Sequence, residues 1–99
     1  MKADKDGSVI FLAKVGGNIK KKRKGIGMSL EELGLEIGLT RMQMHRIEKG
    51  YNITLKTLLK ICLALEIRPE DLLKVDYKFK KDDLEKLINN NKASKLKAK

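Results

Sequence analysis

Ser29-Leu30-Glu31-Glu32-Leu33-Gly34-Leu35-Glu36-Ile37-Gly38-Leu39-Thr40-Arg41-Met42-Gln43-Met44-His45-Arg46-Ile47-Glu48-Lys49-Gly50 decides how this chain folds. The stretch reads as two short helices joined by a tight turn. Ser29, with Glu32 three residues on, is a capping box: hydroxyl and carboxylate each take up a backbone N–H that the first helical turn leaves open. A helix from Leu30 to Ile37 follows, with Leu33 and Ile37 turned inward. Gly38 suits the left-handed conformation that ends a helix, Leu39 plugs the core, and Thr40 caps the next helix. That helix runs from Arg41 to Lys49 and stops at Gly50.

Working outward, Leu12, Val15 and Ile19 recur at helical spacing and predict a first helix from a Ser8 cap to about Lys24. Gly16 and Gly17 weaken its middle, each by about 1 kcal/mol against Ala. Lys20, Lys21, Lys22, Arg23 and Lys24 crowd its last turns, where positive charge suits the helix dipole. Gly25-Ile26-Gly27 then breaks it. Downstream, Thr54 caps a fourth helix from Leu55 to about Leu65, with apolar positions Leu55, Leu58, Leu59, Ile61, Cys62 and Leu65. Pro69, followed by Glu70 and Asp71, opens a short fifth helix ending near Leu73. Val75, Tyr77 and Phe79 alternate as in a short strand or extended arm. Asp82 or Asp83 caps one more short helix through Leu84, Leu87 and Ile88. The expected fold is all-α, with residues 1–8 a flexible N-terminus, 9–74 the domain, 75–90 an extension suited to dimerisation, and 91–99 a disordered basic tail.

Composition narrows the function. The 99 residues hold 23 Lys and Arg against 13 Asp and Glu, for a net charge of +10. Residues 1–10 are neutral, and the excess is shared between 11–73 and 74–99. A strongly basic chain attracts polyanions. The longest apolar runs, Val9 to Ala13 and Ile61 to Leu65, are far too short to span a bilayer, so no membrane partner is expected. A lone Cys62 excludes an internal disulfide and fits a reducing, cytoplasmic setting. One His, His45, and no metal-ligand spacing leave no expected metal or cofactor. His45 and Cys62 are the only conventional base and nucleophile pair, and Cys62 falls on an apolar stripe, so catalysis is not expected.

The helix Arg41–Lys49 says most about chemistry. Met44 and Ile47 occupy one side of its wheel, with Glu48 beside them. Met42, His45, Arg46 and Lys49 occupy the other, and Arg41 and Gln43 sit on the flanks. The outer face therefore offers donors without a carboxylate, as a helix entering a DNA major groove requires. Arg forks to guanine O6 and N7, Gln pairs with adenine, and Met contacts a thymine methyl. Two helices at this spacing form a helix-turn-helix.

Here the sequence resembles the lambda-repressor-like (Cro and phage-repressor, XRE-type) helix-turn-helix family. The resemblance runs without a gap from Val15 to Leu73, through Ile19, Arg23, Ser29, Glu32-Leu33, Gly38, Thr40, Ile47-Glu48, Gly50, Leu58, Leu65 and Leu72. It implies a five-helix domain that dimerises on palindromic operators as a transcriptional regulator or repressor, associated with the nucleoid. By the same resemblance, Arg23 and Glu48 form an ion pair between the first and third helices. Arg41, Met42 and Arg46 fall on base-reading positions, with His45 beside them. Phosphate contacts are expected from helix N-termini and nearby loops: Ser29, Thr40, Gln43, Asn52 and Lys56, with Tyr51 and Thr57 as weaker candidates. The chain departs from the family at Leu30, where a phosphate-clamping Gln is usual, and at Gly34, where Ala is usual.

Three readings compete. The first is a dimeric, sequence-specific regulator bound to double-stranded DNA, whether a phage-type repressor, a restriction–modification controller or the DNA-binding antitoxin of a toxin pair. The second is an interaction module of the same fold, in which residues 77–88 bind a protein partner such as a toxin or another regulator. The third, a general polyanion or RNA binder, is disfavoured by the scarcity of aromatics for base stacking.

Overall fold

The computed structural model describes the backbone of residues 7–98 and the side chains through residue 89. Six helices follow one another: α1 (Gly7–Gly25), α2 (Leu30–Ile37), α3 (Arg41–Glu48), α4 (Leu55–Leu65), α5 (Pro69–Leu73) and α6 (Lys81–Ala98). No strand occurs among the described residues. The predicted flexible N-terminus lies outside them for residues 1–6, and so does Lys99.

The local signals act as their chemistry requires. The Glu32 N–H donates to Ser29 Oγ at 3.0 Å and the Ser29 N–H donates to Glu32 Oε1 at 2.8 Å, closing the capping box of α2. Gly38 ends α2 at φ 79, ψ 28, in the left-handed region that favours glycine. Thr40 caps α3, and Thr54 caps α4 by accepting the Thr57 N–H at 3.0 Å. Pro69 stands at the start of α5, where the Asp71 carboxylate accepts the Arg68 N–H at 3.0 Å.

One core joins the first five helices. Val15 and Ile19 from α1, Leu33 and Ile37 from α2, Met44 and Ile47 from α3, Leu58, Ile61, Cys62 and Leu65 from α4, and Leu72 from α5 are all buried. Asn18 adds a polar tie, its amide donating to the carbonyls of Leu72 at 2.9 Å and Lys74 at 3.3 Å. This bridge secures α5 to α1 and carries no local sequence signal, because its acceptors are backbone atoms more than fifty residues away.

Several expectations need correction. Ser8 is inside α1 rather than its cap, and Gly7 rests against the Phe79 ring and the Asp83 carboxyl. Leu55 and Leu59 leave the core: they are 80% and 50% exposed, because Leu58, Ile61, Cys62 and Leu65 take the inward side of α4. The Val75, Tyr77 and Phe79 alternation makes no strand. These residues form an extended connection whose rings pack edge to face, with Phe79 also 5.8 Å from Phe11 of α1. Asp83 serves α6 from its third residue by accepting the Lys80 N–H at 2.7 Å. The final helix is longer than the short one expected, its backbone running from Lys81 to Ala98. Phe79 thus packs against the chain's own α1, while Leu84 and Ile88 stay exposed on α6.

Candidate nucleic-acid interface

The centre of the site is held from behind by one ion pair. Arg23 Nε donates to Glu48 Oε2 at 2.7 Å, Nη2 donates to Glu48 Oε1 at 3.0 Å, and Nη1 donates to the Met28 carbonyl at 2.7 Å. The two side chains are only 6% and 5% exposed. A planar guanidinium matches a carboxylate through two parallel bonds, so this pair fixes orientation as well as distance. The hydrogen bonds to Glu48 raise the Arg23 pKa above its ordinary value, against the effect of burial. Glu48 is thus the one acid of α3, and it is turned inward. Through Met28, the same guanidinium locks the connection that leads into α2.

α3 presents its other side to solvent. Arg41, Gln43, His45, Arg46 and Lys49 are exposed, and Met42 is 52% exposed. Arg41, His45 and Arg46 make no side-chain hydrogen bond or ion pair among the described residues, so their donors are unspent. Met44 and Ile47 fill the core behind them. No chain segment described in the structure covers this face.

A second capping box orients Gln43. The Gln43 N–H donates to Thr40 Oγ1 at 3.0 Å, and the Thr40 N–H donates to Gln43 Oε1 at 2.8 Å. A backbone N–H can only donate, so Gln43 must present its oxygen to it and its amide NH2 outward. The start of α3 therefore shows an amide donor and the Thr40 hydroxyl, both suited to an anion. The start of α2 differs. Ser29 is exposed, but its N–H is taken by the Glu32 carboxylate, which puts negative charge at that end. Asn52 and Lys56 are exposed beside the start of α4, with Tyr51 also exposed and Thr57 half-buried.

The other chemistry-bearing groups lie elsewhere. Cys62 is buried in the core, and burial, with Asp71 and Glu70 nearby, pushes its thiol pKa up. His45 stands on the exposed face of α3, so the two do not form a pair. No cluster of metal-ligating side chains occurs among the described residues, and no described helix is long and apolar enough to cross a membrane.

Sequence reading missed the role of Gly16. A Cβ there would lie 2.5 Å from the Glu48 carbonyl oxygen and 2.7 Å from that of Ile47, so the glycine lets α1 touch the backbone at the end of α3. Gly34 acts alike between α2 and the turn, where a Cβ would lie 2.5 Å from the Leu39 carbonyl oxygen. The signal in the sequence was the glycines themselves, within helices that otherwise reject them.

Known proteins share this arrangement. The family profile of the Cro/C1-type HTH DNA-binding domain matches residues 18–78. YgzD of Bacillus subtilis, described as an uncharacterized HTH-type transcriptional regulator, is 42% identical over 55 residues, covering 54% of this chain and 83% of its own. Among solved structures, the restriction-modification controller protein C.AhdI from Aeromonas hydrophila is 35% identical with a TM-score of 0.60, over 62% of this chain and 94% of that one. The hypothetical transcription factor NHTF from Neisseria is 28% identical with a TM-score of 0.63, over 77% and 88% respectively. The SinR protein/SinI protein complex also matches, at 28% identity and a TM-score of 0.59 over 81% and 80%. With a matching profile over most of the folded region and the helix-turn-helix in place, the chain belongs to the Cro/C1-type helix-turn-helix DNA-binding family of transcriptional regulators.

Proposed function

We propose that this regulator reads a specific double-stranded DNA sequence by laying α3 in the major groove, and that it works in the cytoplasm as a homodimer on a palindromic operator, most simply as a repressor. The observation that carries the reading is the exposed, acid-free face of α3 with unspent arginines, braced from behind by the Arg23–Glu48 pair. Arg41, Met42, His45 and Arg46 would meet base edges. Thr40, Gln43, Asn52 and Lys56 would meet phosphates, with Ser29 contributing only its hydroxyl. A dimer would place two such helices about one turn of DNA apart.

Selection of bound sites from a random duplex pool, followed by titration at several salt concentrations, tests this. Expected are a two-fold symmetric consensus, nanomolar affinity for it, and a steep loss with salt. Equal affinity for every sequence would reject the reading. Within the selected site, Arg46→Ala should weaken binding by about 1–3 kcal/mol and relax preference at one base pair, whereas Lys56→Ala should weaken all sequences alike.

A second reading rests on Leu84 and Ile88, exposed on α6. In it the same fold serves a protein partner through residues 77–88, as an antitoxin serves a toxin. A stoichiometric protein complex without any preferred DNA site would favour it.

A further inference from the structure

We propose that the DNA contact extends beyond the helix-turn-helix onto α1, where Lys20 and Lys24 grip backbone phosphates flanking the site read by α3. This rests on the DNA-reading function proposed above.

α1 carries no carboxylate along its whole length, Gly7–Gly25, and ends in four exposed lysines around the buried Arg23. At 100° per residue, Ala13, Gly17, Lys20 and Lys24 share one flank. Ala13, on that flank, meets the segment following α3: a Cβ on Gly50 would lie 3.0 Å from Ala13 Cα. Lys20 and Lys24 continue the same flank about two to three turns further along, toward the connection into α2. Lys21 and Lys22 instead line a depression with Asn18, Asp71 and Lys74, where an acid is already present.

The neighbouring anchor is weak, which gives the lysines a task. Leu30 supplies no hydrogen bond to a phosphate, and the Glu32 carboxylate occupies the Ser29 N–H. The connection from Lys24 to Ser29 is nonetheless rigid. The Gly27 N–H donates to the Lys24 carbonyl at 3.0 Å, the Met28 N–H to the Arg23 carbonyl at 3.1 Å, and Arg23 Nη1 to the Met28 carbonyl at 2.7 Å. Cations beside a helix start that carries its own carboxylates supply the attraction for phosphate which that start lacks. Lysine suits this role, being a point charge that meets phosphate without demanding a fixed geometry.

The test compares the full chain with the double variant Lys20→Gln/Lys24→Gln, and with the control Lys22→Gln/Lys74→Gln. Each is titrated on the selected duplex and on a scrambled duplex over a range of salt. Each phosphate neutralised contributes about 0.9 to the slope of log affinity against log salt, so the double variant should lose about 1–2 from that slope. Its affinities for the two duplexes should fall by the same factor, and the control should keep the parental slope. A double variant that keeps the parental slope, or matches the control, overturns the proposal while leaving α3 recognition standing. A parental chain that does not distinguish the two duplexes overturns the underlying function instead.

Discussion

Replacing Arg23 by Met is expected to lower the stability of the domain by about 3–5 kcal/mol, because it strands the Glu48 carboxylate in a site only 5% exposed. The Met28 carbonyl loses its donor in the same substitution, so the entry to α2 loosens too. For a domain of this size each kcal/mol corresponds to about 4–8 °C in melting temperature, so the midpoint should fall by at least about 12 °C. The double variant Arg23→Met/Glu48→Leu should recover much of the loss, since two apolar groups of similar volume leave no buried charge unmatched. Thermal or urea unfolding of the two variants decides the matter. A double variant as unstable as the single one would mean that the pair contributes through shape rather than charge.

Gly16→Ala should destabilise by about 1–3 kcal/mol, whereas Gly17→Ala, one residue on, should stabilise by about 0.5–1 kcal/mol. The two differ in surroundings alone. A Cβ at position 16 would meet the carbonyl oxygens of Glu48 and Ile47, which belong to backbone and cannot swing aside, while one at position 17 meets nothing within 4 Å. At position 17 the ordinary preference of a helix for Ala therefore decides the sign. At position 16 the methyl pushes α1 from the end of α3, which also shifts the recognition helix. Denaturant midpoints measured side by side check both, and equal effects at the two glycines would show that α1 and α3 do not approach so closely.

Much of the candidate site was legible because its chemistry is local. Thr40 at a cap, Arg46 on one side of a short wheel with Arg41 on its flank, and Met44 and Ile47 on the opposite side follow from spacing of a few residues. The place of Glu48 came from family resemblance, since nothing within α3 says which distant cation it faces. Gln43 was placed near phosphate, but its outward NH2 required knowing that the Thr40 N–H holds its oxygen. The Glu32 carboxylate at the Ser29 cap is itself a local signal, and it sets that end apart from the Thr40 end, where the neutral Gln43 takes the same place.

By itself the sequence determined which segments become helices and which of their sides are wet, because caps, glycine stops and apolar periodicity act over one or two turns. Only the tertiary structure decided what those sides meet. It chose Leu58 over Leu59 for the inner side of α4, brought Asn18 to the carbonyls of Leu72 and Lys74, and folded Phe79 back on Phe11. It also turned two glycines that weaken a helix into one that must stay and one that need not. The physical reason is common to all four: periodicity assigns a residue a direction, whereas close packing assigns it a neighbour, and the neighbour comes from elsewhere in the chain.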